Sequence, residues 1–449
     1  MMKKGDTGSS PWDFAPRELV VGAAAPVEVI NKRPPNGNLK IRRIPSSQRK
    51  SFRGPSSAWL GSFKPFSKDA VDRRDLSADE EITRHPPRKG EAHPARLTME
   101  SEIQGGVIMY HPDLLLHDPL NSGPDGARLQ VIIEELVNAG MWPDQIHEAD
   151  IATMKRLREI HDPEYLEMLH KRCTHGVDHL DPDTPVMEKS FEVARFGAGG
   201  VLDAIDLIMD GKIPNAACLT AMPGHHAGFK SSRFGSLLNY AAAGAHYLSK
   251  KFSLKRIAIL DLDAEHGLGA QEIFWERRDV LTISLHEYPG RTGTGHYSEI
   301  GKQPAIGYNV NIPLPSGYGD REYLVCWREL IVPILKQYDP EFLIIPWGTG
   351  ILADDAGTHL LVSQHGLLEL FREVFSTGRH LCKGRMVTIL EGGSPGKVQA
   401  TAFANHAQLL LNNRLQTVDK GKKEEIISYS DWYVYAKLLK ANFRKYWKV

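Results

Sequence analysis

Cysteine is scarce: the chain has four, Cys173, Cys218, Cys326 and Cys382, far apart and with no CxxC pair among them. That spacing argues against a disulfide framework and against a cysteine-rich zinc site, and it favours a reducing compartment. No apolar run approaches the roughly 18 residues a membrane-spanning helix needs. The first residues, MMKKGDTGSSPWDF, lack the apolar stretch of a secretory signal. A transit peptide starting at residue 1 is disfavoured by Asp6, Asp13, Glu18 and Glu28. The expected location is therefore intracellular, in the cytoplasm or in a nucleus or organelle.

Net charge is also missing, with 55 Lys and Arg against 55 Asp and Glu. The zero hides two basic ends around an acidic body. Residues 1–100 carry 19 basic and 12 acidic side chains, and residues 420–449 carry 8 and 3, which leaves the body at −12. With 41% hydrophobic and 24% charged residues in 449, the composition fits a large globular core with tails.

Residues 1–102 are rich in Pro, Ser, Gly and Arg and show no sustained period, so they read as a largely disordered arm. Within it, residues 31–68 hold ten basic residues and no acidic one, beside Trp59, Phe63 and Phe66. Such a stretch is either a solvated linker or a contact for an acidic partner, nucleic acid or a membrane surface. From about 103 to 415 the texture changes. The runs GGVIMYH, AACLTA, RIAILDLD, VLTISLHEY, YNVNIPL, FLIIPWG and MVTILEGG read as strands, and helical spacing fills much of the space between them. This alternation predicts an α/β domain with a mostly parallel sheet and helices on both faces. Residues 416–449 read as a basic, aromatic-rich helix packed on the body, with partner binding as the alternative.

The chemistry-bearing residues gather after strand-like runs, where open α/β sheets bind ligands. In DLDAEHGLGAQEIF, Asp261, Asp263, Glu265 and His266 crowd one loop, and PGHHAGF sets His225 beside His226. Adjacent histidines suit proton transfer if each ring is oriented by a second group. With SLHEYPGRTGTG, ILADDAG and LEGG in the same order, the chain from about 108 to 412 resembles the histone deacetylase superfamily. Within that superfamily it looks closest to the class II and bacterial branches, which include acetylpolyamine amidohydrolases.

The resemblance implies an arginase-like three-layer α/β/α fold and zinc-dependent removal of acetyl groups from lysine or a polyamine. It places the proton-transferring pair at His225 and His226, the orienting carboxylate at Asp261 and the first zinc ligand at Asp263. Glu265 then stands where a ligand His belongs, Gly350 where the second ligand Asp belongs, and Ser394 where a Tyr would donate to the oxyanion. Leu268 takes the place of the acid or amide behind the second His. Family members often hold a structural monovalent cation near the positions of Asp261, Asp263 and Ser284.

Two carboxylates, Asp263 and Glu265, make a poor zinc site, since zinc usually takes more protein ligands and often nitrogen or sulfur. Losing one oxyanion donor costs about 100- to 1000-fold in rate. The expectation is a pseudo-deacetylase without a cofactor, serving as a binding or structural subunit among protein partners. The alternative is an active zinc-dependent deacetylase or amidohydrolase with a rearranged site. A third reading is a nucleic-acid-associated protein led by residues 29–68.

Overall fold

The computed structural model describes residues 105–117, 125–176, 178–355, 357–412 and 429–449. The basic arm lies outside the described residues, as do residues 413–428. Short apolar runs set the frame: β1 (Val107–Tyr110), β2 (Ile146–Glu148), β5 (Asn215–Cys218), β6 (Ile257–Asp261), β7 (Val280–Glu287), β8 (Asn309–Leu314), β9 (Phe342–Trp347) and β10 (Met386–Leu390). Nearly every residue in these strands is buried, as expected where both faces of a sheet are covered.

They form one eight-stranded sheet in the order β2-β1-β5-β10-β9-β6-β7-β8, and each neighbouring pair is parallel. A separate antiparallel hairpin joins β3 (Asp178–Asp181) and β4 (Thr184–Val186). After β5 the chain crosses to β6 on the other half of the sheet, and β9 and β10 later fill the gap. Such a reversal of strand order leaves a crevice beyond the C-terminal strand ends, and the candidate residues lie there.

The helices are α1 (Asp125–Asn138), α2 (Met154–Leu157), α3 (Pro163–Thr174), α4 (Ser190–Met209), α5 (Tyr240–Lys251), α6 (Leu268–Phe274), α7 (Asp320–Cys326), α8 (Val332–Tyr338), α9 (Gln364–Leu381), α10 (Lys397–Asn412) and α11 (Tyr429–Phe443). A π-helical turn, Trp327–Ile331, joins α7 to α8. Helix α4 packs on α5 and covers β1 and β5, while α10 packs on α1 and α9. The small residues of α4 permit close approach: a side chain at Gly199 would collide with the Asp150 carbonyl. Helix α9 shows why an amphipathic run folds here. Leu367, Leu370, Phe371, Val374 and Phe375 recur at helical spacing and are buried, and Ser363 caps the helix by accepting from Gly366 N at 2.9 Å.

Helix α11 buries Leu439 and Phe443. Tyr435 Oη donates to the Pro313 carbonyl, Asn442 Nδ2 to Tyr297 O at 2.7 Å, and Trp447 Nε1 to Gly307 O at 2.8 Å. Among the described residues, no helix is long and apolar enough to cross a membrane.

Candidate functional site

The loop after β5 carries the histidine pair. Its shape is fixed by Asn239, whose side chain caps α5 by accepting from Ala242 N at 2.9 Å. The same amide donates to Ala227 O at 2.9 Å and to His225 O at 3.3 Å. From beneath, His161 bridges the loop. Its Nδ1 donates to Gly228 O at 3.0 Å and its Nε2 accepts from Asn239 N at 3.0 Å. Burial, against the backbone hydrogen bonds to Phe229 and Gly228, lowers His161 to about 4, so the ring is the neutral tautomer this bridge needs.

His225 and His226 are both buried, with ring centroids 3.9 Å apart. His225 Nδ1 lies 2.9 Å from Asp261 Oδ2. Burial opposes a charge on His225, yet the carboxylates of Asp261 and Asp263, with Glu391, outweigh it and raise the ring to about 10. His226 goes the other way, lowered to about 4 by burial and by His225 beside it. In place of a carboxylate or amide from position 268, the backbone carbonyl of His266 accepts from His226 Nδ1 at 3.1 Å.

The carboxylates of the β6 loop are tied to backbone. Asp261 Oδ1 accepts from Asp263 N at 3.0 Å. Asp263 accepts from Glu265 N at 3.0 Å through one oxygen and from Gly392 N at 2.8 Å through the other. Glu391, at the end of β10, is fully buried below them. Its Oε2 accepts from Gly224 N at 2.5 Å and His225 N at 3.2 Å, while Oε1 has no hydrogen-bond partner among the described residues. Burial raises the Glu391 carboxyl to about 7, with the His225 charge opposing.

Glu265 is held by Arg291, from the loop after β7. Nε donates to Oε1 at 2.9 Å and Nη2 to Oε2 at 2.7 Å, a two-pronged pair. His226 Nε2 lies 3.3 Å from Glu265 Oε2. Burial would raise the Glu265 carboxyl, but its side-chain contacts, in which the Arg291 guanidinium is the cation, hold it well below the usual carboxylate range.

The loop after β9 offers nothing toward this group. Gly350 is buried and has no side chain, and a Cβ built on it would sit 3.1 Å from the Ala264 methyl. Asp355 faces the loop after β10: Ser394 Oγ donates to Asp355 Oδ1 and Ser394 N to Oδ2, both at 2.7 Å. Thr349 Oγ1 donates to the same carboxylate at 3.2 Å. The structure therefore brings together His225, His226, Asp261, Asp263 and Glu265, and it ties Ser394 to Asp355 instead.

A zinc ion needs converging donors with lone pairs free to face it. Here Asp263 accepts one backbone N–H on each oxygen and keeps further lone pairs, but both Glu265 oxygens face a guanidinium, whose charge opposes a second cation, and position 350 has no side chain. Among the described residues, no three His, Cys, Asp or Glu side chains are grouped so as to hold a metal. The donor set does not fit zinc. Asp261 and Ser284 are paired across β6 and β7 and line a small cavity with His266, Gln271, Asn309 and Asn311 among others. Asp263 is not part of that lining.

Arg291, Glu391 and His161 went unnoticed in the sequence. Arg291 had one signal, a lone cation between glycines in PGRTGTG. Glu391 directly follows the buried strand MVTIL, which is itself a sign of a buried acid, and His161 gave no signal of its own.

The histone deacetylase domain model matches residues 124–410. A probable deacetylase of Archaeoglobus fulgidus is 33% identical over 290 residues, covering 64% of this chain and 80% of that protein. Histone deacetylase 15 of Arabidopsis thaliana is 32% identical over 328 residues, or 70% of this chain, which spans 58% of that protein's length. The crystal structure of the HDA15 HD domain superposes with a TM-score of 0.67 at 26% identity, covering 77% of this chain and 95% of that one. With this domain match and the three-layer fold, the chain belongs to the histone deacetylase family.

Proposed function

We propose that this protein is a pseudo-deacetylase, a histone deacetylase-fold chain whose metal site is disabled and which serves as a binding or structural subunit of a larger, intracellular assembly. The observation that carries this reading is the Arg291–Glu265 pair. A guanidinium takes both oxygens of the residue that stands at a ligand position, and the third ligand position is Gly350. In this reading Asp261 remains as the orienting carboxylate, Asp263 and Glu265 are remnants of the metal site, and Ser394, its hydroxyl given to Asp355, occupies the position of the missing oxyanion donor. A monovalent cation beside Asp261 and Ser284 belongs to the same reading, and so do protein, acidic or nucleic-acid contacts through residues 29–68.

Elemental analysis of the purified full chain, alongside turnover assays on acetyl-lysine and acetylpolyamine substrates, tests the proposal. The expected result is substoichiometric zinc and no turnover. A variant combining Glu265→His, Gly350→Asp, Ser394→Tyr and Arg291→Ala should gain zinc. Stoichiometric zinc in the unaltered protein, with turnover abolished by chelation, would establish the rival reading of an active amidohydrolase.

A further inference from the structure

Arg291 is more than a counter-ion to Glu265. Its guanidinium carbon lies 4.7 Å from the centroid of the Phe234 ring, and Nη1 lies 3.7 Å from Asp183 Oδ2. Three kinds of recognition thus converge on one planar cation: a parallel fork to a carboxylate, an aromatic face and a second acidic group at the outer edge. An ammonium could use the charge, but it could use neither the fork nor the stacking geometry.

The surroundings are set up independently of Arg291. Phe234 sits in a tight turn in which Arg233 N donates to Ser236 O at 3.2 Å and Ser236 N to Arg233 O at 2.9 Å. Its φ of +49° is unusual for an aromatic residue, so local strain is tolerated to present this ring. The ring meets His226 edge-on, with centroids 5.2 Å apart. Glu265 is held by its own N–H on Asp263 and by the fold of the β6 loop. Asp183 lies in the turn between β3 and β4, where its N–H is held by Asp181 Oδ1 at 2.9 Å. Arg291, by contrast, is half exposed and sits in a loop between Gly290 and Gly293, the latter at φ +66°.

We propose that Phe234, Glu265 and Asp183 form a guanidinium-binding site. Arg291 is its tethered occupant, and a guanidinium ligand from outside the chain competes with Arg291 for the same place. The proposal deepens the pseudo-deacetylase reading and rests on it, because a metal on Glu265 would exclude any guanidinium.

Calorimetry on the full chain with methylguanidinium tests the site, with methylammonium as the control cation. A tethered side chain competes at an effective concentration on the order of millimolar. Methylguanidinium should therefore bind Arg291→Ala one to one and several-fold tighter than it binds the unaltered protein. Adding Glu265→Gln to Arg291→Ala should abolish that binding, and methylammonium should bind Arg291→Ala several-fold more weakly. No binding to folded, zinc-free Arg291→Ala overturns the proposal, as does equal binding with Glu265→Gln or equal affinity for methylammonium. Should Arg291→Ala fail to fold, the Arg291 Nε–H resonance of the unaltered protein decides. It should be protected from solvent exchange and lose that protection on titration with methylguanidinium, and a resonance unprotected from the start overturns the site. Zinc measured in the same samples separates the two ideas: stoichiometric metal defeats the pseudo-deacetylase reading, whereas absent binding to metal-free protein defeats the guanidinium site alone.

Discussion

The floor and the rim of this pocket are built on different rules. On the floor, Asp261, Asp263 and Glu391 accept hydrogen bonds from backbone N–H groups of residues 224, 225, 263, 265 and 392. These carboxylates hold three loops in place whether or not any chemistry occurs. On the rim, Arg291 meets Glu265, Asp183 and Phe234 through side chains alone. The contrast teaches that persistence of a residue need not mean persistence of its reaction. A floor carboxylate is kept by the fold, while a rim side chain is exchangeable.

The strongest challenge to that contrast is Asp261→Ala. It strips the His225 imidazolium of its closest anion, and removing one partner of a buried pair costs about 3–5 kcal/mol. Denaturant unfolding should register a loss of that size even though no reaction is involved. A loss of less than about 1 kcal/mol would collapse the distinction between floor and rim.

Glu391→Gln sharpens the comparison through pH. The folded carboxyl, at about 7, lies above its ordinary 4.5. The stability it contributes is therefore full below about pH 4.5 and is lost as pH rises to about 7. Gln escapes that loss while keeping an acceptor for Gly224 N. The variant should gain on the wild type across this window, by about 3 kcal/mol at most, as followed by unfolding midpoints from pH 4.5 to 8. A gap that stays constant with pH would show that Glu391 does not titrate there.

The smallest effect belongs to the rim. Arg291→Ala removes a half-exposed ion pair, and such pairs contribute about 1 kcal/mol or less. A loss approaching that of Asp261→Ala would mean that the rim also serves the fold.

Much of the architecture was legible because parallel strands buried on both faces announce themselves as apolar runs, as RIAIL and FLIIP do. The mostly parallel sheet follows from that pattern and the helices on both faces from its alternation with helical spacing, while the arginase-like three-layer fold comes from the resemblance. Strands β2 and β3–β4 escaped notice because three or four residues of IHE, DHLD and TPV carry too little pattern to show a period. Within the site, the crowding of Asp261, Asp263 and Glu265 was readable since it is local. The links that decide how the site works are not local. Arg291 is 26 residues from Glu265, and Ser394 is 39 from Asp355, each pair joining loops that follow different strands. Loop residues obey no period, so only the folded sheet reveals which strand ends face one another.

Gly350 adds a historical dimension. A Cβ at this position would stand 3.1 Å from Ala264 and 3.6 Å from Thr358, so little room is open for a side chain. Gly350→Asp alone would crowd Ala264 by a few tenths of an ångström and gain nothing while Arg291 occupies Glu265. Glu265→His alone would set a ring against the Arg291 cation. Each step toward a metal site is thus a loss on its own, and the gain comes only when several occur together. In the pseudo-deacetylase reading, a barrier of individually unfavourable substitutions therefore separates this site from a metal-binding one.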